Sequence, residues 1–381
     1  MILEIFNIRS LERVGMIKTC EFAQYTEKFC GVGTFSLKIP TSEESIEFLT
    51  KEHFILFEDD IMGIIRYRRK SDDEDSSTVE IKGYLLNKIL EWRSFLYTKV
   101  LKGSITDIAR EVVDELFINC TDYRRVIPFI GLSTDEKFIP ESPTTSTQMT
   151  GKTAEYVLET LLNPISYGFS LVPIITKYND AMGMTTNISE LSFRVLKSSD
   201  RSIGNSEGNN PVHFSASMNN LSSSVYTEDY TQFCSVAIVA GEGEGSERTI
   251  IEVGDSEATG IDRIELYVDA RDLQSVTENS IMTDEEYAEA LTNRGYSYLD
   301  NRAAYSSMDG TVIDGASSYV YGVDFFLGDY VSVTDEELGV RARLQIESVT
   351  RSLTDTGEKL DITFGKERVE IQRILRKRGM V

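Results

Sequence analysis

Apolar and polar positions alternate along the first hundred residues. Phe35, Leu37 and Ile39 are separated by polar neighbours and Pro40 closes the run, a period of two that predicts a strand with one buried face. Ile55-Leu56-Phe57 and Ile61-Met62-Gly63-Ile64-Ile65 flank Glu58-Asp59-Asp60, which reads as a hairpin with an acidic turn. A second hairpin has its arms at 64–69 and 78–84. The charged stretch Ser71-Asp72-Asp73-Glu74-Asp75-Ser76 between them reads as a solvated loop tip.

At Ser104 the period changes to about 3.6. Ile105, Ile108, Ala109, Val112, Val113, Leu116 and Phe117 fall on one helical face, and Ser104 with Asp107 gives an N-terminal capping signature. A second helix starts at Thr153, carries Ala154, Val157, Leu158, Leu161 and Leu162, and must stop near Asn163-Pro164, because the residue before proline disfavours the helical region. From Val212 the strand character returns. Val236, Ile238 and Val239 lead into Gly241-Glu242-Gly243-Glu244-Gly245, and residues 250–253 leave it, as in a hairpin. A third helix starts at Thr283 with Glu286 as capping partner and places Tyr287, Ala288, Leu291, Tyr298 and Leu299 on a face. Short strands follow at 319–325, 330–333, 340–349 and 359–364, spaced as in a small antiparallel barrel or sandwich.

With 381 residues the chain is long enough for two or three cores, and 41% hydrophobic with 27% charged residues is the range of a folded protein. The 62 acidic and 39 basic residues leave a net charge of −23, which opposes broad attraction to nucleic-acid phosphates. An acidic wall is nevertheless compatible with DNA as cargo, because it repels a polyanion instead of binding it. No apolar run approaches the length of a membrane-spanning helix, and the opening Met1-Ile2-Leu3-Glu4-Ile5 lacks the basic stretch and cleavage site of a secretory signal, so no membrane anchor is expected. Cys20, Cys30, Cys120 and Cys234 lack metal-ligand spacing and read as reduced apolar residues.

Candidate chemistry is sparse. In the 241–245 glycine run, Glu242 and Glu244 would face a pyrophosphate and a strand follows where a helix is required, so a hairpin loop is the better reading than a dinucleotide site. Gly151-Lys152-Thr153 lacks the first glycine of a phosphate loop, its place being taken by Ser146, and reads as a helix cap. His53 and His213 are the only histidines and both read as structural. The carboxylate pairs Asp59-Asp60, Asp72-Asp73 and Glu336-Glu337 lie in turns, which leaves a glycosidase reading open but disfavoured. Tyr319, Tyr321, Phe325, Phe326 and Tyr330 fit a β core better than a sugar-binding face. Arg66-Tyr67-Arg68-Arg69-Lys70 is followed at once by acids, which favours neutralisation across the loop or at a subunit contact. The 373–378 stretch is locally basic on an acidic protein. No catalytic residue, cofactor or metal site is predicted.

The order of several motifs resembles siphophage tail hub proteins. Gly31-Val32-Gly33-Thr34-Phe35-Ser36-Leu37-Lys38-Ile39-Pro40, then the segment led by Gly83 and running to Arg93, is similar to the opening of that family. Gly241, Gly243 and Gly245 continue the match, followed by Leu327-Gly328-Asp329 and finally Phe364-Gly365. The resemblance implies a relative of the baseplate hubs of contractile tails, built as an α+β, β-rich chain. Two small antiparallel β-barrel (tube-type) domains would carry an α/β domain inserted in the first. The expected division is 1–101 for the first part of barrel one, 102–211 for the insertion, and 212–281 for the return to barrel one with connecting strands. A linking helix at 282–306, barrel two at 307–367 and a basic tail at 368–381 complete it. The implied function is structural and non-enzymatic: a homotrimeric ring at the virion tail tip, assembled in the host bacterial cytoplasm. It would cap the tail tube, hold the tape-measure protein, dock the distal tail ring and a receptor-binding or spike protein, and pass DNA as cargo. A tail-associated peptidoglycan hydrolase and a carbohydrate-binding adhesin are the alternatives.

Overall fold

One sheet of thirteen strands runs through most of the chain, and its continuity depends on a single long strand, Val340–Thr354. The first part of that strand, Val340 to Gln345, pairs with Tyr330–Asp335; on the same edge, Ser348 to Leu353 pair with Phe22–Lys28. Two halves of the molecule that were expected as separate barrels therefore share a backbone ladder. The structure is a computed structural model that describes residues 2–58, 60–72, 77–180, 183–277, 280–300, 302, 305–312, 319–337, 339–354 and 357–368. Asp59, most of the acidic tip at 71–76, and the basic tail beyond Arg368 lie outside the described residues.

From one end the strand order is Leu221–Asp229, Tyr305–Val312, Gly357–Arg368, Val340–Thr354, Phe22–Lys28, Thr34–Pro40, Ser77–Leu85, Ile61–Asp72, His53–Glu58, Leu3–Asn7 and Arg13–Ile17. Pairing is antiparallel except that His213–Ser215 runs parallel to Tyr330–Asp335. Both hairpins read from the sequence are present, with Phe54 opposite Ile64 and Ile65 opposite Gly83. Among the described residues the main path of the sheet ends on Arg13–Ile17 and Leu221–Asp229, its side branch ends on His213–Ser215, and it closes into no barrel. The strands His213–Ser215 and Leu221–Asp229 pair with the C-terminal strands, not with those of the first hundred residues.

Burial explains why several early strands are apolar without alternation. In His53–Glu58, Phe54 and Leu56 face one core while Ile55 and Phe57 face another, so both sides of the strand are covered. The second of these cores lies under Tyr25, Phe35, Leu37, Ile39, Val79 and Ile81. The first is shared with the 102–211 segment, whose helices α1 (Ile105–Val113) and α2 (Ala154–Leu162) and hairpin Tyr167–Asp180/Gly183–Lys197 pack their apolar faces onto it. Ser104 caps α1: its hydroxyl accepts from Asp107 N–H at 3.2 Å and donates to the Asp107 carboxylate at 2.6 Å. Asp107 thus bonds the Ser104 hydroxyl, where a capping box would engage the Ser104 N–H. Thr153 caps α2 by accepting from Tyr156 N–H.

A smaller sheet stands apart from the large one. Val236–Ala240 is its middle strand, antiparallel to Ile250–Gly254 and parallel to Glu265–Asp269, and α3 (Asp284–Asp300) covers one face. The capping box at its start is complete, with Thr283 N–H donating to Glu286 at 3.0 Å and Glu286 N–H to Thr283 at 3.2 Å. Residues 319–325, expected as a strand, form a turn: Gly322 has a φ of +85°, Asp324 accepts from Val320 N–H at 2.7 Å, and Gly322 N–H donates to Phe325. Their aromatics still fill the core, since Phe325 and Tyr319 pack edge-on against Phe214. No helix among the described residues is long and apolar enough to cross a membrane.

Phe35 lies across glycines of the next two strands of the sheet, Gly83 on Ser77–Leu85 and Gly63 on Ile61–Asp72. A Cβ at Gly63 would sit 2.5 Å from its ring, and one at Gly83 would meet both the ring at 2.6 Å and the Ile64 carbonyl oxygen. The aromatic supplies the packing that the two glycines lack. Gly83→Ala is expected to lower the unfolding free energy by about 1–3 kcal/mol, the usual cost of overpacking a filled core, read from the denaturant midpoint. A midpoint equal to the parent's would show that Phe35 can move aside freely.

Candidate assembly junction

The switch of partners along Val340–Thr354 takes place at Ile346 and Glu347. Glu347 is the extra residue of a bulge, because Ile346 pairs with Phe364 and Ser348 with Thr363. Its side chain needs the space left by the next residue on that neighbouring strand: a Cβ at Gly365 would overlap the Glu347 side chain. Two chain segments then meet at the bulge. Phe29 N–H donates to the Glu347 carbonyl at 2.9 Å, Gly328 N–H donates to the Ile346 carbonyl at 2.9 Å, and Ile346 N–H returns a bond to the Asp329 carbonyl.

Phe29 also reaches the inserted segment. Its carbonyl accepts from Phe169 N–H at 3.1 Å, so its backbone joins the first strands, the last strands and the 167–180 hairpin arm. The buried ring is held between two glycines. A Cβ at Gly168 would be 2.9 Å from the ring, and one at Gly328, where φ is +93°, would overlap it. Asn87 ties two of these elements together, donating to the Gly31 and Phe169 carbonyls and accepting from Leu171 N–H at 2.8 Å. Asp329 is buried, which pushes its carboxyl up, while the Phe326 N–H and the Arg201 guanidinium at 2.8 Å hold it back. Ser166 bonds Tyr330 at 2.6 Å, and Arg343 lies 3.7 Å over the Tyr330 ring while bonding Asp200.

Carboxyl groups are crowded around this junction. Above Gly31, whose φ is +141°, a Cβ would come 2.9 Å from Glu159. Burial, the charge of Glu155 and the hydrogen bond that protonated Glu159 donates to it push the Glu159 carboxyl upward. Burial also pushes the nearby Cys30 thiol up. One turn of strand away, Glu27 is pushed up to about 8 by burial, then by Asp60 and Glu58, with Arg351 opposing. Glu58 accepts from the Tyr25 hydroxyl at 2.6 Å and from Arg351 at 2.9 Å, beside a cavity of about 150 Å³ lined by Tyr25, Tyr319, Tyr321 and Arg351.

Of the motif positions read from the sequence, Gly31, Leu327, Gly328, Asp329, Phe364 and Gly365 come together here. Gly33, Phe35, Pro40 and Gly83 lie along the adjoining strands, where a Cβ at Gly33 would press on Leu85 and Pro40 pairs with Thr78. Gly241, Gly243 and Gly245 belong to the small sheet. A Cβ at Gly241 would strike Tyr287 and Leu291 of α3, and Glu242 N–H donates to the Tyr287 hydroxyl at 2.8 Å, so this turn serves helix packing. Sequence reasoning missed Phe29, Gly168 and Arg201. Only a Phe directly before Cys30-Gly31 hinted at the first.

Of the carboxylates weighed for hydrolysis, Asp59 and Asp73 lie outside the described residues. Asp72 is exposed, bonded to Ser77 and Lys70, which hold it below its ordinary range, and Glu336 is held down by Ser217. His53 bonds Thr50, and His213 bonds Thr334 at 2.7 Å; burial lowers both rings. Among the described residues no group of His, Cys, Asp and Glu has the arrangement of a metal site. In the basic cluster, Arg66 lies 5.0 Å over the Trp92 ring and Lys70 pairs with Asp72.

Phe29→Ala is expected to cost about 3–5 kcal/mol, and Gly328→Ala to destabilise through both its φ and the Phe29 ring. The double variant should cost less than the sum, since removing the ring removes the clash; additive losses in denaturant titrations would show the two are not in contact. A second expectation concerns pH. A carboxyl raised in the folded state holds a proton that the unfolded chain releases, so stability falls as pH rises between 4.5 and about 8. Glu27→Gln should flatten the thermal midpoint across that window, and a profile as steep as the parent's would assign the slope to other groups.

These elements recur in known proteins. The tail protein from Neisseria meningitidis MC58 superposes with a TM-score of 0.54 at 15% identity, covering 96% of each chain. The 43 kDa tail protein of prophage MuSo2 from Shewanella oneidensis gives 0.52 at 15% identity, over 96% of this chain and 98% of the other. Prophage tail protein gp18 from Listeria monocytogenes EGD-e gives 0.51 at 11% identity, over 100% and 99%. At these identities the likeness is one of fold. Among curated proteins none matches the chain. In sequence, the family described as Siphovirus ReqiPepy6 Gp37-like protein matches residues 2–366, from the strand before the first hairpin to the glycine beneath the Glu347 bulge, and the chain belongs to that family.

Proposed function

We propose that this protein is the structural, non-enzymatic tail hub of a bacteriophage virion. Three copies form a ring at the tail tip after assembly in the host cytoplasm. The observation that carries the reading is the continuous thirteen-stranded sheet with an open strand at each end, in a siphovirus family and in a fold shared with three phage tail proteins. An uncovered sheet edge invites pairing with another chain, and a ring of identical copies covers every edge. The two sheet halves joined at Glu347 serve as the two tube-type modules of each copy, with 102–211 as the inserted domain. Three copies then present six modules to a tail tube.

In this assembly the ring caps the tube, holds the tape-measure protein, docks the distal tail ring and a receptor-binding or spike protein, and opens for DNA. The net charge of −23 suits a passage through which DNA slides without adhering. A neutral or basic channel lining in the assembled ring would remove that part of the reading.

Electron micrographs and a solution mass are expected to show threefold particles with a central channel and the mass of three chains. A stable monomer at virion-assembly concentrations would overturn the proposal. Val225→Lys, at an exposed position of the end strand Leu221–Asp229, is expected to weaken assembly about tenfold or more, or about 1.4 kcal/mol, with the unfolding midpoint unchanged.

A further inference from the structure

Helix α3 covers one face of the small sheet; on the other, Val236 and Ala240 of the middle strand are buried while the outer strands keep exposed apolar residues. α3 packs on the side bearing Ala237, Val239, Val253 and Val268, and Gly295 brings the helix backbone close against Val239 and Val253. On the other face the register sets Ile250 beside Ala240, and Ala240 beside Asp269; Glu252 lies beside Ile238, and Ile238 beside Tyr267. There Ile250 is 57% and Tyr267 60% exposed, and Ile261, in the turn joining the two outer strands, is 91% exposed. The arginines of this region are already engaged: Arg263 with Glu252 and Glu265, Arg248 with Asp269, and Arg271 with Asp269. Between 241 and 272 the chain carries ten acidic residues against three arginines, a net charge of −7.

Residues 369–381 have the opposite character. Arg373, Arg376, Lys377 and Arg378 stand against the single acid Glu370, a net charge of +3, and Ile371, Ile374 and Leu375 are interleaved with them. The segment follows Arg368, which pairs with Tyr305, which in turn pairs with Asp229 through the other edge of its strand. Both of those partners lead straight into the small sheet. Asp229 ends the strand that precedes Val236–Ala240, Tyr305 opens the strand that follows α3, and Cys234 N–H donates to the Arg302 carbonyl where the two connections meet. Thirteen residues reach up to about 45 Å when extended, and a five-residue strand is about 17 Å long. The distance from Arg368 to the outer strands of that face is within reach.

We propose that residues 369–381 dock across the outer strands of this face in the same chain, placing their aliphatic side chains on Ile250 and Tyr267 and their basic side chains against the surrounding carboxylates. The contact gives the basic stretch a place on an otherwise acidic protein and covers the exposed apolar residues of the face opposite α3. It does not depend on the hub reading and holds for a single chain.

Zero-length carbodiimide coupling of the full-length protein, followed by peptide mass mapping, is expected to join Lys377 to Glu252, Glu265 or Asp269. The yield should fall several-fold as salt rises from about 0.05 to about 0.5 M, because the attraction is between exposed charges. Mixing isotopically heavy and light protein separates links within a chain from links between copies; hybrid links would overturn the same-chain assignment. Ile250→Asp combined with Tyr267→Asp is expected to cut the yield at least tenfold and to speed tryptic cleavage after Arg373 and Arg376 at least tenfold. Ile374→Asp with Leu375→Asp, which alters only the docking segment, should give the same result should the sheet variant fail to fold. Coupling of Lys377 mainly to other carboxylates, or an unchanged yield in these variants, overturns the proposal.

Discussion

The structure depends on one strand serving two partners along one edge. Val340–Thr354 hands its edge from Tyr330–Asp335 to Phe22–Lys28 within two residues. A ladder that changes partners leaves backbone groups facing a gap, and unpaired buried N–H and C=O groups are costly. Here the gap is filled from both sides: Gly328 and Asp329 bond Ile346, and Phe29 bonds Glu347. Two backbones can approach so closely only where side chains are missing. That requirement accounts for Gly328, for Gly168 against the Phe29 ring and for Gly365 beneath the Glu347 side chain. Of the motifs that suggested a family, Leu327-Gly328-Asp329 and Phe364-Gly365 are, in physical terms, residues that let this exchange of partners happen.

The inserted segment is bound into the same solution. His53–Glu58 and the first part of Ile61–Asp72 are buried on both faces because α1, α2 and the long hairpin cover the side that would otherwise face water. A strand covered on both sides loses its alternation and gains apolar area, which stabilises the first sheet half and the insertion jointly. Asn87 ties that shared core to the Gly31 turn through its side chain, and Phe29 connects it to the C-terminal strands through backbone bonds. The acids crowded near Gly31 and Glu27 work against this compactness. Carboxyls withdrawn from water beside other carboxyls favour their neutral form, so the junction is most stable when they hold protons.

Much of this was legible in the sequence where a pattern had one cause. Phe35, Leu37 and Ile39 alternate because one face is buried, and Ser104, Thr153 and Thr283 mark helix starts because their hydroxyls satisfy backbone N–H groups. The hairpin Tyr167–Asp180/Gly183–Lys197 escaped notice for a definite reason. Its pairing skips Ser189, so the buried phase shifts from Ile188 to Leu191, Phe193 and Val195, and no single alternation spans the strand. Residues 319–325 misled in the opposite direction. Tyr319, Tyr321 and Phe325 keep a period of two, but the positive φ of Gly322 and the Asp324 side chain fold the segment into a turn whose aromatics reach the same core. The junction itself was visible only as separate glycine-bearing motifs, because Phe29 and Gly168 are far from Gly328 in sequence and nothing local records that they touch.

The shared strand also limits where a ring built from this chain is able to open. Within a copy, separating the two sheet halves means breaking the ladder between Phe22–Lys28 and Val340–Thr354, including the Thr26–Thr350 side-chain bond at 2.8 Å, and withdrawing a buried phenylalanine from between two glycines. At the ends of the sheet's main path, Arg13–Ile17 and Leu221–Asp229 each have one neighbour and are separated from the junction strand by other strands. Contacts made there between copies can be formed and released while each copy stays intact. In the proposed assembly, passage of DNA therefore calls for movement between subunits, and the Glu347 bulge is the feature that keeps each subunit rigid while they move.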